Sequence, residues 1–358
     1  MTPLTGQELF LGAAFLSAGS GGIARVARLT AMAAIDAGAD LAMLSLLDKE
    51  PVAVRDVAVS RANGIRVAFA ARCAIGALSR QHFIYDSTGL ARAHLRLPGG
   101  GRPYAVWMHG IEVWGELHPG ARAALLRSNL QLVNSEFTLR KYHERHGGRV
   151  DAKVCWLATE DDEPAATSPD FSGLPTVMIL GRIDNSEGYK GHAELLAVWP
   201  RVVSAVPDAR LLVVGHGPGF DEFKGLVAAS PVAANIELAG FIPEAEIPAY
   251  WRRAHVLAMP SRKEGFGLVY IEAMRQALPV IGSIHDASPE VNIHGETGFN
   301  VDLDKGDGLA EYLVELLRSP DLCRDLGRAG QRRWIEHFRF GKFKERIVPI
   351  LQEFCGNG

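Results

Sequence analysis

The feature that most constrains this chain is an alternation. Short apolar runs recur, and segments of helical length with one apolar face separate them. That rhythm marks a parallel α/β sheet, because each crossover to a parallel neighbour needs a helix that returns over the sheet. In the first half, strands are predicted at 9–16, 41–47, 105–109 and 130–134, with helices such as 25–37 and 121–128. The stretch LATEDDEPAATSPDFSGLP (157–175) loses apolar periodicity and is rich in Pro, Ser, Thr and acid, which reads as a linker. TVMILGR then opens a second series, with further strands expected at 209–215, 235–240, 255–261 and 278–283. The tail from Ala329 to Phe354 reads as helix with a break near Phe340 and Gly341. The expectation is two doubly wound α/β domains in series with a cleft between them, ligands lying outside the carboxyl ends of the strands.

Length agrees, since 358 residues exceed what one hydrophobic core usually serves. A net charge of −3 argues against nucleic acid as a partner. The charge is uneven, however: residues 60–150 hold 13 basic side chains against five acidic ones. That surplus is either a solvated face or a surface for an anionic bilayer or acceptor. Cys73, Cys155, Cys323 and Cys355 stand far apart, with no C-x-x-C pair and no zinc spacing, which fits a reduced cytoplasmic setting. LFLGAAFLSAG near the start has the look of a signal-peptide core. Glu8 precedes it instead of a positive charge, and the run is too short to span a bilayer, so it is read as a buried first strand.

Four stretches carry chemistry. In AGSGGIARVAR (18–28), Gly19, Gly21 and Ala24 fit the dinucleotide pattern G-x-G-x-x-G/A, and Asp48 ends the next apolar run where a ribose-binding acid would stand. In PSRKEGFGLVYIEAMRQALPVIGS (260–283), a strand gives way to the turn Glu264, Gly265, Phe266, Gly267, and a helix begins near Leu268. Free backbone N–H groups at such a start, beside glycines, suit phosphate or sugar oxygens. Glu264 in the turn and Glu272 on the helix suit the hydroxyls of a sugar and a ribose. In GRIDNSEGYKGH (181–192), Arg182 and Lys190 put two cations on one strand-to-helix turn, which suits a diphosphate gaining charge. Asn185, Ser186 and Gly188 mark the loop between them as flexible. In VWMHGIEVWGE (106–116), His109 ends a strand and Gly110 allows close backbone approach.

The run from Glu264 to Leu268, continued by Glu272, Ala273 and Pro279-Val280-Ile281, resembles the E-x7-E signature of family 4 glycosyltransferases. These are retaining enzymes of the GT-B fold that use nucleotide-sugar donors. Gly21-Gly22, His109-Gly110, NSEFT (134–138), VVGHGPG (213–219) and SPEVNIHGETGFNV (288–301) match in the same order, so the resemblance covers most of the chain and is strongest over 176–301. It implies GT-B architecture: a Rossmann-like acceptor-side domain over 1–168, a Rossmann-like donor domain over 169–336, and a tail helix (337–358, or from Trp334 on) packing back on the first. It implies that Glu264 contacts the donor sugar, that the backbone of Gly265, Phe266, Gly267 and Leu268 holds sugar and phosphate, and that Glu272 takes the ribose. Arg182 and Lys190 would hold the diphosphate, with Gly21 and Gly22 approaching it from the other domain. His109 would reach the transferred sugar, and turns near Gly215 and Phe241 would border the base. One departure is WLATEDDE (156–163), where many relatives have a Pro-Gly-Val-Asp-like turn.

The resulting expectation is transfer of a sugar from a UDP- or GDP-sugar to a carbohydrate, glycolipid or other hydroxyl acceptor, with retention, in polysaccharide or glycolipid assembly. Arg182, Lys190 and the helix start would carry the leaving diphosphate. No cofactor and no metal are expected, and no D-x-D is read as a metal site. Cytoplasmic placement, peripheral at the inner membrane face through the basic residues of 60–150, goes with that reading. Three alternatives stand beside it: a nonhydrolysing sugar-nucleotide epimerase, an oxidoreductase using the turn at 19–24, and a nonenzymatic sugar-nucleotide-binding subunit.

Overall fold

The structure is a computed structural model that describes residues 4–95, 101–147, 150–165, 169–184, 190–306 and 308–356. Two compact units divide it, Met1–Glu160 together with Phe340–Gly358, and Asp161–Arg339.

The first unit is built on β1 (Glu8–Ala13), α1 (Gly22–Asp36), β2 (Asp40–Ser45), the short strands β3 (Ala53–Val54), β4 (Val57–Ala58) and β5 (Ser60–Arg61), and α2 (Arg66–Ser79). It continues with β6 (His82–Tyr85), β7 (Tyr104–Met108), α3 (Ile111–Trp114), α4 (Pro119–Arg127), β8 (Leu130–Val133), α5 (Glu136–His146) and β9 (Lys153–Val154). Seven strands form one sheet in the order β5-β2-β1-β6-β7-β8-β9, parallel throughout, while β3 and β4 make a separate hairpin. Leu9, Leu11, Phe83, Ile84, Val106 and Leu132 are buried, as strands covered on both faces require. The strand β6 was not expected from its four residues HFIY, too short a run to show a period, yet it is the sheet's centre.

The second unit has β10 (Thr176–Leu180), α6 (His192–Ala205), β11 (Arg210–Val214), α7 (Phe220–Ala228), β12 (Ile236–Gly240), α8 (Ile247–Arg253) and β13 (Val256–Ala258). Then come α9 (Leu268–Arg275), β14 (Val280–Ser283), α10 (Ser288–Val291), β15 (Gly298–Val301), α11 (Gly308–Arg318) and α12 (Pro320–His337). Its six parallel strands run β12-β11-β10-β13-β14-β15, the doubly wound order in which the winding reverses between the first and fourth strands.

The break between units falls at Glu160/Asp161, ahead of 168/169. Asp161 and the residues after it are fastened to the end of α9: Arg275 pairs with Asp161 at 3.0 Å, and Arg275 Nε donates to the Glu163 carbonyl at 2.9 Å. Trp334, expected on the first unit, stays with the second. Helix α12 lies against α9 so closely that a Cβ on Gly327 would meet the Ala277 carbonyl oxygen at 2.0 Å. The last helix, α13 (Phe340–Gly356), starts after the break at Phe338 and Arg339 and packs on α1 of the first unit. Lys344 reaches Asp36 at 3.2 Å, and Arg346 donates to the Trp156 carbonyl at 3.0 Å.

Candidate active site

In a doubly wound sheet, the crevice for a ligand opens at the carboxyl ends of the two strands where the winding reverses. In the second unit these are β10 and β13, and residues nominated from sequence collect on their ends. Gly181 and Arg182 follow β10, and Glu264 stands in the turn after β13. Lys190, just ahead of α6, places Nζ 2.9 Å from Glu264 Oε2, with both side chains about one-fifth exposed. Arg182 pairs with Asp184 at 3.0 Å. Asn185, Ser186 and Gly188 lie outside the described residues.

Helix α9 begins at Gly267, whose φ of 88° is left-handed, and no side chain caps the helix. A Cβ there would meet Tyr270 Cδ2 at 2.2 Å, so only glycine lets the turn close over the tyrosine ring. Phe266 is buried, its ring edge-on to Phe338 at 6.0 Å. Leu268 opens the helix and Glu272 lies half-buried one turn further on. Gly215 follows β11 and donates its N–H to Gly240 O at 2.8 Å, while Phe241, 74% exposed, extends just past β12. His192, the first residue of α6, is held neutral: burial first, then Lys190, push its pKa down to about 4.

Sequence reasoning missed the floor beneath this turn. Asp286, buried at the end of β14's loop, accepts the Glu264 N–H at Oδ2 (3.3 Å) and the Ser288 N–H at Oδ1 (2.8 Å). In return Ala287 N–H donates to the Glu264 carbonyl at 3.1 Å. The available signal was an acid just beyond a predicted strand end, the same position that singled out Glu264.

Gly21, Gly22 and His109 belong to the first unit, whose winding reverses between β1 and β6. Here too an acid ends the strand pair: Asp86 Oδ2 accepts the Ala14 N–H at 2.6 Å. Burial raises Asp86 to a pKa of about 6, partly offset by that N–H and by His109. The loop from Ala14 onward leads to Gly21, φ 92°, where a Cβ would meet nothing within 4 Å. Gly22 opens α1, which has neither a side-chain cap nor an acid in its first turn, so its amino end is electrostatically open to an anion. His109 is buried; its Nε2 donates to the Asp86 carbonyl (2.5 Å), its N–H to Glu112 Oε1 (2.5 Å), and its own carbonyl accepts from Asn134 Nδ2 (2.6 Å). In the neutral ring that leaves Nδ1 as the acceptor.

The dinucleotide reading of 19–24 does not fit. Asp48, its ribose acid, spends one oxygen on the Leu16 N–H (2.8 Å) and the other on the Ser17 hydroxyl (2.5 Å). It anchors the glycine loop, and Arg28 does so from the other side by donating to the Ser17 carbonyl (2.8 Å) while pairing with Glu160.

One D-x-D does meet a histidine. His285, Asp302 and Asp304 bring ligand atoms within 4.8 Å of one another. Cations already face these oxygens: Lys305 stands 3.1 Å from Asp302 and Arg262 2.9 Å from Asp304, while Leu303 N–H donates to His285 Nε2 at 3.1 Å. These contacts make the group part of a surface ion-pair network.

Two doubly wound α/β units in one chain, the second with an acid-glycine turn and cations at its switch point, define a glycosyltransferase of the GT-B fold. The model for glycosyl transferases group 1 matches residues 167–333. A GDP-mannose-dependent alpha-(1-6)-phosphatidylinositol monomannoside mannosyltransferase of Mycobacterium tuberculosis is 30% identical over 278 residues, 72% of this chain and 71% of that protein. A GDP-mannose-dependent monoacylated alpha-(1-6)-phosphatidylinositol monomannoside mannosyltransferase of Corynebacterium glutamicum is 29% identical over 68% of each chain. Among solved structures, sucrose-phosphate synthase from Thermosynechococcus elongatus superposes with a TM-score of 0.83 at 19% identity, covering 98% of this chain and 100% of that one. The chain belongs to the group 1 glycosyl transferases, the family 4 enzymes, and is a glycosyltransferase that uses a nucleotide sugar.

Proposed function

We propose that the protein transfers mannose from GDP-mannose to a hydroxyl of a lipid-linked acceptor, with retention of anomeric configuration and without a catalytic metal. The observation that carries the donor half is Lys190 held 2.9 Å from Glu264 at the switch point. When the donor enters, Lys190 and Arg182 take the diphosphate and Glu264 is freed for the sugar hydroxyls. The amino end of α9 adds backbone N–H groups to the same phosphate, so negative charge growing on the leaving group meets fixed donors. Glu272 takes the ribose, and Gly215 and Phe241 border the base. Gly21, Gly22 and His109 serve phosphate and sugar from the first unit. Attack comes from the leaving-group side, and a phosphate oxygen of the departing GDP accepts the acceptor proton. The choice of GDP-mannose and of a lipid acceptor rests on what the relatives' names state of those proteins.

A peripheral membrane contact has support in α2. Val67 and Leu78 are 80% and 82% exposed, and Ile65 and Ile75 are exposed beside them. Arg66 and Arg72 flank this outward face, and no acid occurs from Ile65 to Gln81. An apolar face edged by cations suits an anionic lipid surface on which the helix lies flat. Among the described residues no helix is long and apolar enough to cross a membrane.

The test is transfer from GDP-mannose, UDP-glucose and UDP-galactose to extracted lipids, with chelator present and the product linkage read by NMR. An inverted anomer sinks the retention, and activity that vanishes with chelator and returns with a divalent ion sinks metal independence. Exclusive use of a UDP sugar sinks the donor assignment. Flotation with anionic vesicles, abolished in Val67→Asp/Leu78→Asp, checks the surface; equal flotation of the double variant removes it.

A further inference from the structure

Beneath the Glu264 turn lies a buried chain of oxygens whose hydrogens can be counted. Asp286 Oδ1 is 2.6 Å from Ser288 Oγ, Ser288 Oγ is 2.9 Å from the Tyr270 hydroxyl, and that hydroxyl is 2.8 Å from the Met259 carbonyl. All three side chains are shut off from solvent, with Asp286 2% exposed. Three O···O links need three hydrogens, whereas Ser288 and Tyr270 supply one each. A carbonyl only accepts, so the tyrosine hydrogen goes to Met259. If Ser288 donates to Asp286, the serine and tyrosine oxygens face each other at 2.9 Å with no hydrogen between them, in a dry site where such a contact is costly. If Ser288 donates to Tyr270, Asp286 must supply the third hydrogen. The N–H groups of Ser288 and Glu264 are accepted by the carboxyl in either state.

We propose that Asp286 carries a proton in the resting protein and donates it to Ser288 Oγ, so that a neutral carboxyl holds the Glu264 turn and donor binding weakens when that proton is lost. The inference rests on the donor reading of the Glu264 turn. The groups that face Asp286 are Glu264 from the turn after β13, itself paired with Lys190, and Tyr270 from α9; its neighbour His285 turns to Asp302 and Asp304. Ionised Asp286 would add a second negative charge beside Glu264, where the diphosphate is to sit. Burial, reinforced by the charge of Glu264 and opposed by the Ser288 and Glu264 donors, pushes Asp286 up to about 7. The folded pKa lies above the unfolded one, so the stability this proton contributes is present in acid and lost as pH rises through 7. Donor binding follows the same sign, and by reciprocity a bound nucleoside diphosphate tightens the proton.

The test compares wild type with Asp286→Asn, which does not titrate; its amide donates to Ser288 Oγ and accepts from Glu264 at the cost of the acceptor of the Ser288 N–H. Infrared difference spectra should show a protonated-carboxyl band that titrates near 7 in wild type and is missing in Asp286→Asn. Calorimetry with GDP at about pH 6 and about pH 8.5 should show Kd rising about tenfold more in wild type than in the variant, one pKa unit of coupling. Ser288→Ala, which keeps the carboxyl and removes its acceptor, should shift the band and serves if Asp286→Asn does not fold. No band difference between wild type and both variants overturns the proton. A band with equal pH slopes of Kd overturns its link to the donor. GDP that binds at neither pH overturns the donor reading, and the infrared result still decides the proton.

Discussion

Removing the ammonium of Lys190 separates a catalytic role from a structural one. At 2.9 Å and an effective dielectric near 20, the ammonium and the Glu264 carboxylate attract by about 6 kcal/mol before desolvation. Both side chains remain about one-fifth exposed, so screening and the cost of dehydration leave a net near 1 kcal/mol. Lys190→Ala also strands the Glu264 carboxylate without its partner, which adds about 1 kcal/mol. A unit of this size should then lose a few degrees in Tm. Turnover should fall much further. Loss of one preorganised donor to a charge growing in the transition state costs about 10²–10³ in kcat, or about 3–4 kcal/mol. The assay is steady-state transfer with saturating acceptor over a donor series, beside calorimetric melting of the same preparations. A kcat within about threefold of wild type refutes the role in stabilising the leaving diphosphate. An unchanged kcat with a raised KM would move Lys190 to uniform ground-state binding.

Gly267→Ala should abolish transfer and lower stability by at least about 2 kcal/mol, because φ is 88° and the new Cβ would meet Tyr270 at 2.2 Å; near-normal melting and activity would show that the turn yields. Asp48→Ala removes the acceptor of the Leu16 N–H and the Ser17 hydroxyl, so it should destabilise by about 1–3 kcal/mol in urea titration, and wild type should show no NAD-induced shift in Tm. Asp86, raised to about 6 by burial, holds its proton in the folded state more tightly than in the unfolded one. The stability of wild type relative to Asp86→Asn should therefore decline as pH rises through 6, and a rise would reverse the assignment.

The sequence made the architecture legible because apolar runs and amphipathic segments report burial directly, and parallel strands buried on both faces show up as continuous runs such as TVMIL and RLLVV. It failed at His82–Tyr85, where four residues carry no period, although Phe83, Ile84 and Tyr85 are fully enclosed. The candidate residues of the second unit stood out in two separate turns, Lys190 ahead of α6 and Glu264 with Gly267 after β13. The partners that hold them did not. Asp286 meets Glu264 across 22 residues and Tyr270 meets Ser288 across 18, pairings set by strand order and invisible to any local pattern. Asp48 shows the converse hazard: it stands where a ribose acid would, yet tertiary packing gives it the backbone of its own neighbouring loop.

The two units share a device: a buried acid past the end of one parallel strand accepts a backbone N–H past the end of its neighbour. Where adjacent parallel strands end, the backbone N–H groups just past their ends lose ladder partners. In the first unit Asp86, at the end of β6, satisfies Ala14 beyond β1. In the second, Asp286 beyond β14 satisfies Glu264 beyond β13, one strand away from the reversal. Each carboxyl is buried and each is pushed toward neutrality, to about 6 and about 7. A carboxyl that takes up its proton with little cost can pin an N–H group without placing full negative charge where the proposed donor would bind. An amide would pin the same N–H but cannot respond to a bound diphosphate, whereas an acid near its pKa can strengthen its hold on the proton as the anion arrives.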